Sequence, residues 1–212
     1  MQDLQAARVQ QRAQLTVYLV DDDPAIRDAL SLSLSLRGYP IALFASAEDL
    51  LNAYDAEWAG CVIADIRMPG LSGLQLQTVL MERGSTLPVV IITGHGDVTS
   101  ARTAFRNQAV DFLEKPFDDE LLISAIETAF ERELGRIDKQ SGTARRDAML
   151  SSLSPREREV MKFLMRGLHA REIGEQLGIS HRTVEVHKAH IMEKMGVRSV
   201  VDIVRLGANV AA

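Results

Sequence analysis

The sequence predicts an α/β chain in two parts: a doubly wound, five-stranded parallel sheet followed by a small all-α domain. Two observations carry this. Across the first 120 residues, five short apolar runs alternate with amphipathic helical stretches, the pattern of a parallel sheet covered on both faces. From Ser154 onward the pattern is helical only. A chain of 212 residues has room for two such domains, each with its own core.

Residues 15–20 read as the first strand, rich in β-branched and aromatic residues and ending abruptly at three aspartates. Asp23-Pro24 opens a helix, with an Asp cap and Pro at the first helical position. Its later part, Ser31-Leu32-Ser33-Leu34-Ser35-Leu36, alternates with period two, yet its length, its cap and the stop at Gly38 predict a helix. Further strands are expected at 40–44, 61–64, 89–93 and 110–113, with helices near 47–54, 73–83, 98–108 and 119–134. The near-continuous apolar runs at 17–20, 61–64 and 89–92 mark the central strands. Residues 135–150 lose the periodicity and read as a linker that extends the preceding helix by a turn or two. The resulting organisation is an N-terminal extension over 1–14, an α/β domain over 15–134, the linker, and an all-α domain over 151–212.

Composition narrows the function classes. No run of apolar residues is long enough for a transmembrane helix, and residues 1–14 lack the apolar core of a secretory signal. The single cysteine, Cys61, lies in an apolar run and reads as a core thiol. A cytoplasmic protein without a membrane partner is expected. The net charge of −5 is unevenly spread: residues 151–212 hold ten Lys and Arg against seven Asp and Glu, while the remainder is acidic. A basic C-terminal part suggests a polyanionic partner, though an excess of three is modest.

The informative polar residues of the first part all fall at the C-terminal ends of proposed strands. Asp21 and Asp22 follow the first, Asp65 the third, Thr93 ends the fourth and Lys115 follows the fifth. Alone each is ordinary, since Asp-Asp-Asp before Pro caps a helix and Lys before Pro is usually a surface residue. One sheet would bring them together, however, because ligands of open α/β sheets bind outside the carboxyl ends of the strands where their order reverses. Three converging carboxylates repel one another unless a cation joins them, and an all-oxygen site suits Mg²⁺. Such a cation would also neutralise an arriving phosphoryl group. Asp65, after the small Ala64 and before the turn Met68-Pro69-Gly70, is placed as a nucleophile, with Thr93 and Lys115 binding phosphoryl oxygens.

In the second part, Ser154-Pro155-Arg156-Glu157 opens a helix that ends at Gly167. A short helix over 170–177 stops at Gly178, and Ser180 caps a longer one running to about Met195. Two helices joined by a short Gly-containing turn form a helix-turn-helix, whose second helix can enter the major groove. There Val184, Ile191 and Met195 make the apolar stripe, with His187 at its edge. Arg182, Glu185, Val186, Lys188, Ala189 and Lys194 lie off it, so that face can bring cations to phosphates and Glu185 to a cytosine amino group. The Ser180 and Thr183 hydroxyls at the helix N-terminus can hold a backbone phosphate. No carboxylate or cysteine is placed to complete a metal site with His187 and His190.

These residues resemble known families. Val20-Asp21-Asp22-Asp23, Asp65-Ile66-Arg67-Met68-Pro69-Gly70, Thr93-Gly94-His95-Gly96-Asp97 and Glu114-Lys115-Pro116-Phe117 look like the signature of two-component response-regulator receivers. Leu153-Ser154-Pro155-Arg156-Glu157 through Thr183-Val184-Glu185-Val186-His187 to Lys194-Met195 closely resembles the LuxR-type DNA-binding domain. Together they point to the FixJ-like branch of the NarL/LuxR class, across essentially the whole chain after Leu15. The resemblance implies a flavodoxin-like receiver of strand order 2-1-3-4-5. It makes Asp65 the phosphoacceptor, with Asp21, Asp22, Asp65 and the Arg67 backbone carbonyl holding Mg²⁺. Thr93 and Lys115 then bind and read the phosphoryl group, and Phe112 is the rotating aromatic switch residue, with a cis Lys115–Pro116 bond. DNA contacts carry over to Thr183, Glu185, Val186, Lys188 and Ala189, beside Ser180 and Arg182 at the helix start, with a last helix over 199–206 pairing two copies. Some relatives carry lysines at positions 185 and 189, and their absence here leaves the base preference open and lowers the expected number of phosphate contacts. The implied partners are a sensor histidine kinase, promoter DNA, RNA polymerase and a second copy of the chain. The receiver would shed its own phosphoryl group but act on no external substrate.

Two other readings compete. A Mg²⁺-dependent phosphohydrolase would use Asp65 as nucleophile, but no second acid stands two residues later as a haloacid-dehalogenase-like enzyme requires. A quorum-sensing regulator would share the C-terminal domain, but the carboxylate cluster and the few aromatics argue against an acyl-homoserine lactone pocket.

Overall fold

The computed structural model describes residues 12–94 and 98–203. His95, Gly96 and Asp97 of the fourth-strand motif, most of the N-terminal extension and the last residues of the expected C-terminal helix lie outside the described residues. The chain divides into two compact units at Asp138/Lys139.

The first unit is built on β1 (Thr16–Val20), β2 (Ile41–Phe44), β3 (Gly60–Asp65), β4 (Val89–Thr93) and β5 (Asp111–Glu114). All neighbours pair in parallel, in the order β2-β1-β3-β4-β5. The central strands are β1, β3 and β4, as their apolar runs predict: β3 and β4 are buried throughout, whereas β2 and β5 are largely half-buried edges. Successive strand residues feed opposite faces. Val17, Leu19, Cys61, Ile63, Val90 and Ile92 pack under α1 (Pro24–Leu36) and α5 (Asp119–Ser151). Tyr18, Val20, Val62, Ala64 and Ile91 pack under α2 (Ala47–Ala53), α3 (Gly73–Glu82) and α4 (Val98–Arg106).

The Ser-Leu alternation in α1 is helical, capped by the Asp23 carboxylate accepting the Ala25 N–H. Leu30 and Leu34, one turn apart, face the core, while Leu32 and Leu36 are exposed. Helix α5 runs past the turn or two expected beyond residue 134 and takes in the whole expected linker, to Ser151. Its fully buried residues stop at Leu134, so the lost periodicity marks the end of core burial rather than of the helix. No proline occurs between Pro116 and Pro155, and Gly135 and Gly142 each cost only about 1 kcal/mol relative to Ala.

The second unit contains α6 (Pro155–Met165), α7 (Ala170–Leu177) and α8 (His181–Lys194), with residues 200–203 again helical. A capping box opens α6: Ser154 accepts the Glu157 N–H while the Glu157 carboxylate accepts the Ser154 N–H. Val160, Leu164, Ile173, Val184, Ile191 and Met195 form the core of this unit. Among the described residues no helix is long and apolar enough to cross a membrane.

Candidate functional site

Val20 and Ala64 are register partners, so the next residue on each strand, Asp21 and Asp65, emerges side by side at the carboxyl edge of the sheet. Both are almost fully buried. The Lys115 ammonium joins them, donating to Asp21 Oδ2 at 2.6 Å and to Asp65 Oδ1 at 2.7 Å. Burial alone lowers the ammonium's pKa, but the bonds to Asp21 and Asp65 outweigh that and the net shift is upward. The other oxygens are also engaged: Asp21 Oδ1 accepts the Asp23 N–H at 2.9 Å, and Asp65 Oδ2 accepts the Arg67 N–H at 2.6 Å. Thr93, fully buried at the end of β4, accepts the Lys115 N–H through its backbone carbonyl at 2.7 Å. The Lys115–Pro116 bond is cis.

The side chain of Asp22 is exposed to solvent, and so is that of Arg67, whose backbone N–H nevertheless bonds to Asp65. Among the described residues no three His, Cys, Asp or Glu side chains converge as a ready metal cage. The donor set nevertheless fits a hard divalent cation. Two buried carboxylates, Asp21 and Asp65, face one ammonium, both supply oxygen donors, and the pair keeps a net negative charge that suits a cation of Mg²⁺ type. Phe112 is half-buried on β5 and packs with the α2–α4 face of the core.

The segment after Asp65 is held at several points. Gly73, at the start of α3, lies so close to β3 that a Cβ there would stand 2.3 Å from the Asp65 carbonyl oxygen. Ser72 and Gln75 form a capping box on α3. From α2, Glu48 Oε1 accepts the Leu71 N–H at 2.9 Å. Arg27 of α1 donates to the Asp21 carbonyl at 2.6 Å. The Glu48 and Arg27 bonds are not legible in the sequence, where nothing sets either residue apart from other charges near a helix start.

In the second unit Val184, Ile191 and Met195 are buried and His187 is half-buried, as the apolar stripe predicts. Ser180, Arg182, Thr183, Glu185, Val186 and Ala189 are exposed, and Lys188 is partly so. Ser180 caps α8 by accepting the Thr183 N–H at 3.1 Å, and the two hydroxyls lie 2.8 Å apart. Lys188 pairs with Glu185 at 3.2 Å, partly offsetting the positive charge of this face. Lys194, grouped by sequence with the outer-face cations, instead reaches Glu157 of α6 at 2.8 Å.

Comparison with known proteins accounts for both halves. Residues 17–127 match the response regulator receiver domain family, and residues 151–206 match the luxR family of bacterial regulatory proteins. The transcriptional regulatory protein FixJ of Bradyrhizobium diazoefficiens is 42% identical over 190 residues, covering 90% of this chain and 93% of that protein. The chain is a response regulator of the LuxR class.

Other similar proteins agree with that membership. The response regulator protein TmoT of Ectopseudomonas mendocina is 40% identical over 90% of this chain and 86% of its own length. The solved structure of response regulator StyR has a TM-score of 0.87 at 36% identity, covering 92% of this chain and 99% of that one. Full-length FixJ from B. japonicum gives 0.58 at 40% identity, over 92% and 96%. This response regulator is therefore a FixJ-like transcription regulator with a receiver and a LuxR-type DNA-binding domain. Membership implies a sensor kinase and promoter DNA as its partners.

Proposed function

We propose that a histidine kinase phosphorylates this regulator on Asp65, and that the modification promotes pairing of receivers and binding of α8 to promoter DNA. The reading assigns the receiver to residues 15–134, the linker to 135–150 and the DNA-binding domain to 151–212. The observation that carries it is the Lys115 ammonium bridging Asp21 and Asp65. A cation beside two buried carboxylates is arranged for incoming phosphoryl oxygens, and a structural ion pair would need only one of them.

An Asp65 oxygen attacks phosphorus, the phosphorus–nitrogen bond to the kinase histidine breaks, and the departing imidazole takes up a proton. Lys115 then transfers its contacts from Asp65 to a phosphoryl oxygen, and the Thr93 hydroxyl donates to another. Mg²⁺, held by Asp21, Asp22, Asp65 and the Arg67 carbonyl, supplies charge neutralisation when bound. As Thr93 moves, Phe112 turns into the space it leaves, and the face of α4 and β5 becomes the pairing surface of a homodimer. Water attack on the acyl phosphate releases inorganic phosphate and restores the carboxylate, so the receiver resets itself.

On DNA, Ser180 and Thr183 hold a phosphate at the α8 N-terminus, and Arg182 and Lys188 add phosphate contacts. Glu185, Val186 and Ala189 face the base edges, Glu185 accepting from a cytosine amino group and Val186 meeting a thymine methyl. The bound dimer then engages RNA polymerase. The exposure of this face supports the reading.

The test is wild type against Asp65→Asn, each with Mg²⁺ and acetyl phosphate, read by intact mass and size-exclusion elution. Wild type is expected to gain one phosphoryl mass and shift toward a dimer, with both lost in the variant. Equal modification and equal pairing of Asp65→Asn would overturn the assignment.

A further inference from the structure

We infer that Glu48 is a positioning residue for the phosphoacceptor loop, its carboxylate fixing residues 66–72 so that Asp65 and the Arg67 backbone stay in register. The inference rests on the reading of Asp65 as phosphoacceptor. Glu48 lies in the first turn of α2, partly buried, where the helix N-terminus favours an acid. It accepts the Leu71 N–H across 23 residues of chain, and so reaches the loop from another element.

Ile66 is anchored to the sheet, its N–H donating to the Ile92 carbonyl, but among the described residues the other bonds of residues 67–72 are local: Arg67 N–H to Asp65, and Ser72 with Gln75 and Leu76. Gly70 shows how closely the carboxylate is seated. Its φ is +75°, and a Cβ there would stand 2.3 Å from Glu48 Oε1. Downstream, Gly73 lies against the Asp65 carbonyl, so a shift at residues 70–71 is passed to the nucleophile from both ends of the loop. A charge-assisted bond at Leu71 therefore sets where the Arg67 N–H and carbonyl lie relative to Asp65.

The test compares full-length wild type, Glu48→Gln, Glu48→Ala and Gly70→Ala. The readouts are the acetyl phosphate labelling rate, its half-saturation in Mg²⁺, amide exchange over residues 66–72 and thermal unfolding. Glu48→Ala and Gly70→Ala are expected to label about tenfold more slowly, with a raised Mg²⁺ half-saturation and faster exchange in the loop. Glu48→Gln keeps an acceptor oxygen and is expected to stay within about threefold of wild type. Normal labelling and Mg²⁺ dependence in Glu48→Ala would overturn the inference alone, as would a Glu48→Gln defect as deep as that of Glu48→Ala. Failure of wild type itself to label would overturn the phosphoacceptor reading, and with it any role for Glu48 in that chemistry.

Discussion

Lys115 touches two carboxylates that would otherwise repel each other in a nearly dry crevice, and this single contact ties the stability of the sheet edge to its chemistry. Its raised pKa means that the pairing contributes fully below the ordinary lysine value and is lost as pH rises through the higher folded one. The contribution is therefore complete at neutral pH. Lys115→Met is expected to cost about 2–3 kcal/mol at pH 7 in urea unfolding, because it leaves Asp21 and Asp65 uncompensated. Added Mg²⁺ should recover much of that loss. A variant as stable as wild type, or one that Mg²⁺ does not rescue, would show that the carboxylates do not depend on a cation. Asp21, Asp65, Thr93 and Lys115 were legible in the sequence because each ends an apolar run, and the sheet order does the rest. Glu48 and Arg27 were not, since nothing local separates a helix-start charge that reaches another loop from one that meets only water.

At the scale of elements, α6 and α8 are joined by a charge pair whose two halves had other assignments in the sequence. Glu157 reads as a capping-box acid and Lys194 as an outer-face cation, yet they meet at 2.8 Å. Lys194 first, and the Ser154 N–H second, hold the buried Glu157 carboxyl down at about 2. Its folded pKa lies below the unfolded one, so its contribution is present above the ordinary glutamate value of 4.5 and is lost as pH falls from there toward 2. Lys194→Met is expected to destabilise the helical domain by about 1–2 kcal/mol, the exposure of the lysine limiting the effect. It should also flatten the acid limb of the stability profile, followed by amide exchange in α6 and α8 between pH 5 and about 2.5. An unchanged acid limb would count against the pair. The length of α5 was the element least legible in sequence. Beyond Leu134 its residues face mostly solvent, and a solvated helix carries no apolar period to read.

For the whole molecule, the receiver fold places its polar cluster where strand order reverses, and the LuxR-type domain presents a polar helix face of mixed charge. The acidic first part and mildly basic second part suit a chain whose second part alone meets DNA. The overall architecture was legible because apolar periodicity fixes both the strands and the buried stripe of α8. Base preference was not, because Glu185, the proposed partner of a cytosine, already pairs with Lys188, and no local pattern in the sequence shows that pairing. The most direct measurement of the account's central claim is DNA affinity with and without the phosphoryl mimic. Duplexes selected from a random pool by the beryllofluoride- and Mg²⁺-treated chain would be titrated with wild type and with Asp65→Asn, each treated and untreated. Treatment is expected to tighten binding by wild type about tenfold, with a steep salt dependence, and to leave Asp65→Asn at the untreated level. Equal affinity of treated and untreated wild type, or the same gain in Asp65→Asn, would contradict a switch operated from Asp65.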